Sequence, residues 1–565
     1  MFIVLDNAES ILDPHGADAR DLYAVVEELS RFKNVFLCIT SRISTVPPHC
    51  KRLPIPTLSM ESACDVFYSI YENSKRSDIV RELIQQLDFH VLSITLLATT
   101  AVHNMWDHDR LAKEWGLHRA RVLRTARNES LEAVIGLSLA SPTFQNLGPI
   151  AREVLGVIAF FPQGINENNF SWLSPTISDG TGIFNTFCAL SLTYRSNNFV
   201  TMLAPLRDYL GPRDPRTSPL LCTTKDCYFS RLRLLGDLEP DQPGFEESQW
   251  ITSEDVNIEH MLNIFTSFDT DSGDTWAAIA NFMAHLRWHK PRSTVLGPRV
   301  EGLSDDHHSK PECLFRLSQL FWLLGNWVDQ KRLLTCVLEV ERGRGNDDRV
   351  ARTLRFLAEA NRMLYLYEEG TRQSKEALGT YERLGDVAGQ AKCWNSLGWL
   401  LLGDNQIDSA EEAGFHAINL SRDQGREYLV CASHRLLGDI YQRKGERGKA
   451  IQHFEAAIGI ASPFGWHHEL FWTHFALAEL FCNENRFENA QSHIERAKGH
   501  AIDDAYNLGR AMSQQAEIWY RQDRLEEAKA EILCALETFE KLGATGDLPW
   551  SRSNLQEIER AMEYR

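Results

Sequence analysis

LLGDIYQRKGERGKAIQHFEAAI, residues 436–458, is the stretch whose reading decides the fold. It opens as an apolar helix, breaks at a Lys-Gly-Glu turn around Gly445, and continues as a second apolar helix. Three positions in it are small: Gly438, Ala450 twelve residues on, and Ala457 seven further. The same trio recurs upstream in SLGWLLLGDNQIDSAEEAGFHAI (396–418) as Gly398, Ala410 and Ala417. Downstream it recurs in ALAELFCNENRFENAQSHIERAK (476–498) as Ala478, Ala490 and Ala497, and in QQAEIWYRQDRLEEAKAEILCAL (514–536) as Ala516, Ala528 and Ala535. The units are spaced by 40, 40 and 38 residues. One period earlier lie Ala358, Gly370 and Ala377; one earlier still, the trio has decayed to Ser318, Gln330 and Val337 beside a turn glycine, Gly325.

Small residues at fixed places let two antiparallel helices approach closely, and larger ones (Trp399, Tyr441, Phe481, Trp519) are expected to fill the space left. Gly445, Asn485 and Asp523 mark the turns. A single hairpin cannot bury its apolar face, so successive hairpins must stack into a solenoid. The pattern resembles the tetratricopeptide family in a long-period form. That resemblance implies a concave surface for a protein or peptide ligand, lined by first-helix residues, here Asn395, Arg435, Asp439, Gln442, Phe475, Glu479 and Tyr520. No regular Lys/Asn set for clamping a peptide's terminal carboxylate is visible, so the ligand's identity stays open. Self-association is a further expectation.

The other end of the chain reads differently. FIVLDNAE (2–9) is a continuous apolar strand ending in Asp6, and NVFLCITSR (34–42) is another ending in Arg42, with a helical stretch at 18–32 between them. Such apolar runs fit strands buried on both faces of a parallel sheet, whose ligands bind beyond the strands' carboxyl ends. A third strand is expected in KRLPIP and a helix capped by Ser59 in SMESACDVFYSIY. An acid at one strand end suits Mg²⁺ and an arginine at the next suits a terminal phosphate.

These strands resemble the Walker B and sensor strands of the NB-ARC/NACHT class of signalling NTPases. QQLDFHVLSITLLATTA (85–101), IAREVLGVIAFFPQGINENNFSWL (150–173) and NNFVTMLAPLRDYL (197–210) fall where that class has its base-contacting motif, its winged-helix domain and its closing motif. With the repeats, the whole is similar to fungal signal-transducing NTPases with numerous domains. The resemblance implies an ATP/ADP and Mg²⁺ site with Asp6 as the magnesium acid, Arg42 as phosphate sensor, Asn7 beside them and Glu9 as the water-orienting base. Three departures count against a working site. Val91 stands where the family has proline, Leu203 and Ala204 stand in place of its histidine and acid, and no Gly-x-x-x-x-Gly-Lys-Ser/Thr loop occurs in the 565 residues. The expectation is that two strands, the phosphate loop and a helix belong before Met1, one strand lying between those ending at Asp6 and Arg42, or else that the protein is a degenerate pseudo-NTPase. Neither nucleotide nor hydrolysis is expected of the chain as it stands.

The expected fold is thus mostly α. An incomplete parallel α/β P-loop NTPase core spans 1–57 and a helical subdomain 58–147. A winged-helix-like domain follows at 148–211, a connector at 212–300 and an α-solenoid of tetratricopeptide-like hairpins at 301–565. Two functions fit: a signalling switch whose repeats act as its sensor, or a non-enzymatic adaptor carrying a relic nucleotide domain. The formal charge of −18 argues against nucleic-acid binding, and with it against a DNA-binding regulator. No apolar run is long enough to span a membrane. Cysteines such as Cys38, Cys64, Cys188, Cys393, Cys431 and Cys534 sit in apolar segments, which suits reduced thiols and a cytoplasmic location. DTDSGDTW (269–276) fails as a calcium loop and reads as a helix start, Cys222 and Cys227 lack a second pair for zinc, and His307-His308 and His467-His468 read as surface residues.

Overall fold

The computed structural model describes residues 2–5, 36–39, 58–71, 77–87, 106–118, 142–170, 180–189, 192–212, 214–235, 239–242, 249–267, 273–289, 294–501, 504–544 and 546–563, with isolated positions 26, 29, 50, 89, 91, 94, 97, 98, 101, 139 and 292. The chain divides into two units, one of Met1–Tyr228 with Val256–Met261, the other of Phe229–Asp255 with Leu262–Arg565.

In the first unit β1 (Phe2–Leu5) and β2 (Phe36–Ile39) are parallel, with Phe2 opposite Phe36 and Leu5 opposite Ile39. The strand expected between them is one from before Met1; within this chain β1 and β2 pair with each other directly. The third strand in KRLPIP lies outside the described residues. Next come α1 (Met60–Ile70), α2 (Asp78–Gln86) and α3 (His108–His118). Ser59 caps α1 as its sequence requires, accepting from the Ser62 amide at 3.2 Å. Phe67, Ile84, Leu97 and Leu111 are fully buried among these helices, and Trp115 Nε1 donates to Gln86 Oε1 at 2.8 Å.

The segment 148–211 begins with α4 (Ile150–Phe160), buried along most of its length. It continues through β3 (Ile165–Asn166), α5 (Gly180–Ala189), β4 (Tyr194–Ser196), β5 (Phe199–Thr201) and α6 (Ala204–Leu210). The strands form an antiparallel sheet in the order β3-β5-β4. Of the closing-motif residues, Met202 is fully buried and Arg207 folds back to donate to its carbonyl at 3.1 Å. Asn257 ties down the turn before β3, accepting from the Gln163 amide and donating to the Gly164 carbonyl, each at 2.9 Å.

Helices α7 (Pro219–Leu235), α8 (Gln249–Thr266) and α9 (Gly273–His289) follow. DTDSGDTW accordingly leads into a helix. The second unit is dominated by six helical hairpins, the five whose small residues are intact in the sequence and the decayed one at Ser318, Gln330 and Val337. They are α10/α11 (Lys310–Leu323, Trp327–Arg344), α12/α13 (Asp347–Met363, Tyr367–Leu384), α14/α15 (Val387–Gly403, Ile407–Asp423), α16/α17 (Glu427–Arg443, Arg447–Ala461), α18/α19 (His467–Asn483, Phe487–His500) and α20/α21 (Ala505–Arg521, Leu525–Leu542). A last helix, α22 (Leu548–Glu563), covers the final hairpin.

The small positions do what their size dictates. Ala410, Ala450, Ala490 and Ala528 are fully buried, as are Ala417, Ala457, Ala497 and Ala535. A Cβ on Gly438 would fall 2.5 Å from the Phe454 ring, and one on Gly398 would fall 2.6 Å from Leu436. Tyr441 and Phe481 are buried between helices as expected, and Trp519 packs against Ala516, Ala528 and Ile532. Trp399 packs against the cluster of Leu397, Leu436 and Ile440 as expected, and its half-buried ring also lines the concave side. Cys534 is a correction, for it is exposed, whereas Cys64, Cys393 and Cys431 are core thiols.

The array comes back on itself. Trp327 of the first hairpin lies in one apolar cluster with Tyr506, Phe539 and Ala544 of the sixth. The turn at Gly325 is pressed against Tyr506, where an added Cβ would sit 2.6 Å from the ring.

Candidate functional site

The concave faces of these hairpins enclose a cavity of about 360 Å³. Its wall is built from first helices, because each presents the same inner stripe one repeat apart. One register gives Arg355, Asn395, Arg435 and Phe475, and the next helical turn gives Glu359, Trp399, Asp439 and Glu479. Trp322, Trp472, Tyr506 and Asn507 also belong to the wall.

Of the seven residues expected on the binding surface, Asn395, Arg435, Asp439, Phe475 and Glu479 line this cavity. Gln442 and Tyr520 do not. They sit one turn beyond the stripe, and Tyr520 packs instead on Ala516 and Ile532. His468 is a correction in the other direction: read as a surface residue, it is half-buried in the cavity wall, 6.1 Å from Trp322. Asp6, Asn7, Glu9 and Arg42 lie outside the described residues.

The wall is electrostatically ordered. Arg435 Nε donates to Glu469 Oε2 at 3.1 Å, and the Tyr428 hydroxyl donates to Glu469 Oε1 at the same distance. Burial opposes charge on both partners, yet each restores the other: Glu469 is held below the usual carboxylate range and Arg435 is raised. The Arg435 guanidinium also lies 4.9 Å from the centre of the Trp399 ring, a cation–π contact. Burial pushes His468 down to about 4, so it is neutral at pH 7. Asp439 moves the other way. Burial and the neighbouring Glu479 raise it to about 7 against the pull of Arg435. Glu479 faces the lumen, but protein surrounds it closely enough that burial raises it too.

Two features of the wall escaped sequence reasoning because they come from the aperiodic connector. Glu239 pairs with Lys392 at 2.5 Å and with Arg426, while Asp241 pairs with Arg426 at 2.9 Å and accepts from the Tyr428 amide at 3.2 Å. The segment 239–242 thus straps the entrance of α14 and α16. From the end of α9, Trp288 meets Tyr428 edge to face at 5.4 Å, and Arg287 lies 5.4 Å from the Phe356 ring centre. Nothing in their local pattern marks these residues as part of the wall.

The tetratricopeptide-repeat family model matches residues 436–463, the hairpin α16/α17. A comparison with curated proteins found no match. Among solved structures, the chain is similar to a signal transduction ATPase with numerous domains that has a tetratricopeptide repeat sensor, from Pyrococcus horikoshii. The TM-score is 0.43 at 14% identity, over 99% of this chain and 80% of that one. It is also similar to a Rap protein complexed with competence and sporulation factor (TM-score 0.41, 12% identity, 60% of this chain and 98% of that one). A third likeness is to aspartyl phosphate phosphatase F from Bacillus subtilis (TM-score 0.34, 9% identity, 59% and 93%). At these scores the likenesses carry no functional weight. The protein is a helical-repeat protein whose repeat is tetratricopeptide-like, and among the described residues no helix is long and apolar enough to cross a membrane.

Proposed function

We propose that the chain is the sensor-bearing part of a signalling protein of the NTPase type, in which the repeat array captures a segment of a protein or peptide. The observation that carries this reading is the walled cavity: aromatic rings and charged groups converge on a space of about 360 Å³, within the range of specific ligand sites. The parallel β1–β2 pair supports the NTPase side of the reading, since in sequence Asp6 comes directly after β1 and Arg42 three residues after the end of β2. Without a phosphate loop the 565-residue chain does not bind ATP tightly or turn it over. Titration calorimetry that found a low-micromolar MgATP affinity would overturn that part.

Capture is tested by blocking the cavity. Ala432 lines it, and Ala432→Trp places an indole in the lumen. The immobilised full chain is expected to retain members of a random heptapeptide pool, and the Ala432→Trp variant, checked for an unchanged melting temperature, is expected to retain few of them. Equal retention by both would put the binding surface elsewhere. The adaptor reading shares this cavity, and differs in predicting that deletion of residues 1–211 leaves partner binding intact and that Asp6→Ala leaves signalling in the cell unchanged.

A further inference from the structure

The strap at 239–242 is a tight turn. The Gln242 amide donates to the Glu239 carbonyl at 2.9 Å, and the Gln242 side chain accepts from the Glu239 amide at 2.8 Å. The turn presents two carboxylates, one residue apart, to one place on the array. Lys392 Nζ donates to Glu239 at 2.5 Å. The Arg426 guanidinium forks onto both oxygens of Asp241 at 2.9 and 3.0 Å and also meets Glu239. The Tyr428 amide, in the first turn of α16, is a third donor, to Asp241 at 3.2 Å. A lysine, a forked arginine and a backbone amide converging on two carboxylates make a specific anion site.

All three donors belong to the repeats, and only the strap satisfies the two cations. Among the described residues neither Lys392 nor Arg426 makes any other ion pair. The site is also continuous with the cavity, since Lys392 and Tyr428 line it together with Glu239. The cavity wall has the same polarity. Six basic side chains line it against five carboxylates, and one of the five is Glu239 itself. Without the strap the repeats and α9 therefore present six cations against four anions, with Arg426 beside them. Arg355, half-buried on α12, lies 4.1 Å from the Phe356 ring centre and among the described residues closes no ion pair. On a chain of formal charge −18, a concave face of this sign selects an anion.

We propose that the mouth of the cavity, at Lys392, Arg426 and the Tyr428 amide, is a docking site for an acidic turn of a partner protein, and that Glu239-Pro240-Asp241 is its built-in occupant. This rests on the capture reading above and specifies its ligand. An incoming segment with two carboxylates in the same spacing replaces the strap's ion pairs like for like, and gains the contacts it makes deeper in the cavity. The strap competes because it is tethered, which gives it a high effective concentration at the site. A strap seated about nine-tenths of the time lowers the apparent affinity for the partner roughly tenfold.

The test uses the immobilised full chain at physiological salt, where the net negative charge of the chain disfavours acidic peptides and cannot mimic the result. Three heptapeptide pools, blocked at both ends, carry Glu-Pro-Asp, Gln-Pro-Asn or Lys-Pro-Lys at the centre and random residues elsewhere. Retained peptides are counted by mass spectrometry. The wild type is expected to retain the Glu-Pro-Asp pool severalfold over the other two. The near-isosteric Glu239→Gln/Asp241→Asn variant is expected to retain roughly tenfold more of that pool and no more of the others. Adding Lys392→Gln/Arg426→Gln to that variant, which leaves no unpaired charge at the site, is expected to abolish the acidic preference. Equal retention of the three pools by the wild type, or a preference for Lys-Pro-Lys, overturns the acidic-ligand proposal while leaving capture intact. No gain in the strap variant refutes the strap as occupant, and an acidic preference that survives the fourfold substitution refutes the assignment to Lys392 and Arg426. Failure of every chain to retain any pool sinks the capture reading itself. The wild-type comparison needs no variant, so a misfolded substitution does not spare the proposal.

Discussion

Gly438 and Gly459 belong to the same hairpin, yet a methyl group added to each should act with opposite sign. At Gly438 the new Cβ would lie 2.5 Å from the Phe454 ring, which is fully buried and cannot retreat. Overpacking of this kind costs roughly 1–3 kcal/mol, more than the gain of up to about 1 kcal/mol from replacing a helical glycine. At Gly459, exposed and with nothing within 4 Å of the added atom, only the gain remains. Gly438→Ala should therefore lower the denaturation midpoint of the array and Gly459→Ala should raise it slightly. Thermal or denaturant melts of the two variants against the wild type decide it; a neutral Gly438→Ala would mean that the helices are less closely packed than described. The small positions were legible in the sequence because size alone sets how closely helices approach. Of Trp399 the packing role was legible and the place in the cavity wall was not, because a half-buried tryptophan satisfies the same periodicity whether or not one edge of it reaches a lumen.

Among elements, the hairpin turns repeat as faithfully as the helices. Left-handed residues close the six hairpins at Gly325, Tyr365, Asn405, Gly445, Asn485 and Asp523. Glycine, asparagine and aspartate enter that conformation at little cost, which made several of the turns readable. Tyr365, with φ of 60° and its side chain exposed, pays roughly 1–2 kcal/mol and hides its turn from sequence reasoning. The degenerate first unit folds because its neighbours impose the geometry: Gln330 fills the small position at zero exposure, with both side-chain polar atoms lacking a partner.

The strap at 239–242 was illegible, since its residues have no period and act through ion pairs 153 to 187 positions away. Its side chains are nonetheless mostly buried, Asp241 at 6% and Arg426 at 18% exposure. Asp241→Ala should cost roughly 2–4 kcal/mol, discounted from the value for a fully buried pair because Glu239 remains on Arg426. The same change should speed hydrogen exchange at the Tyr428 amide, which loses its acceptor. An unchanged exchange rate there would show that the strap does not hold the entrance of α16.

For the molecule as a whole, the sequence indicated its two kinds of structure, an apolar strand pair at one end and a repeat array at the other. What it could not indicate was closure. Each hairpin adds a small rotation to the last, and whether six of them bring the first against the sixth depends on their sum, which no local spacing records. Closure is also what makes the concave face a walled site with Trp322, Tyr506 and Asn507 on it. Capture in this cavity therefore stands on the contact of Trp327 with the sixth hairpin. The most direct measurement is to replace Trp327 with the photoreactive residue benzoylphenylalanine in the full chain, irradiate it, and map the cross-links by mass spectrometry. The account predicts cross-links to the stretch around Phe539, Ala544 and Gly546. Cross-links confined to the neighbouring hairpin, with none to that stretch, would mean an open array and no enclosed site.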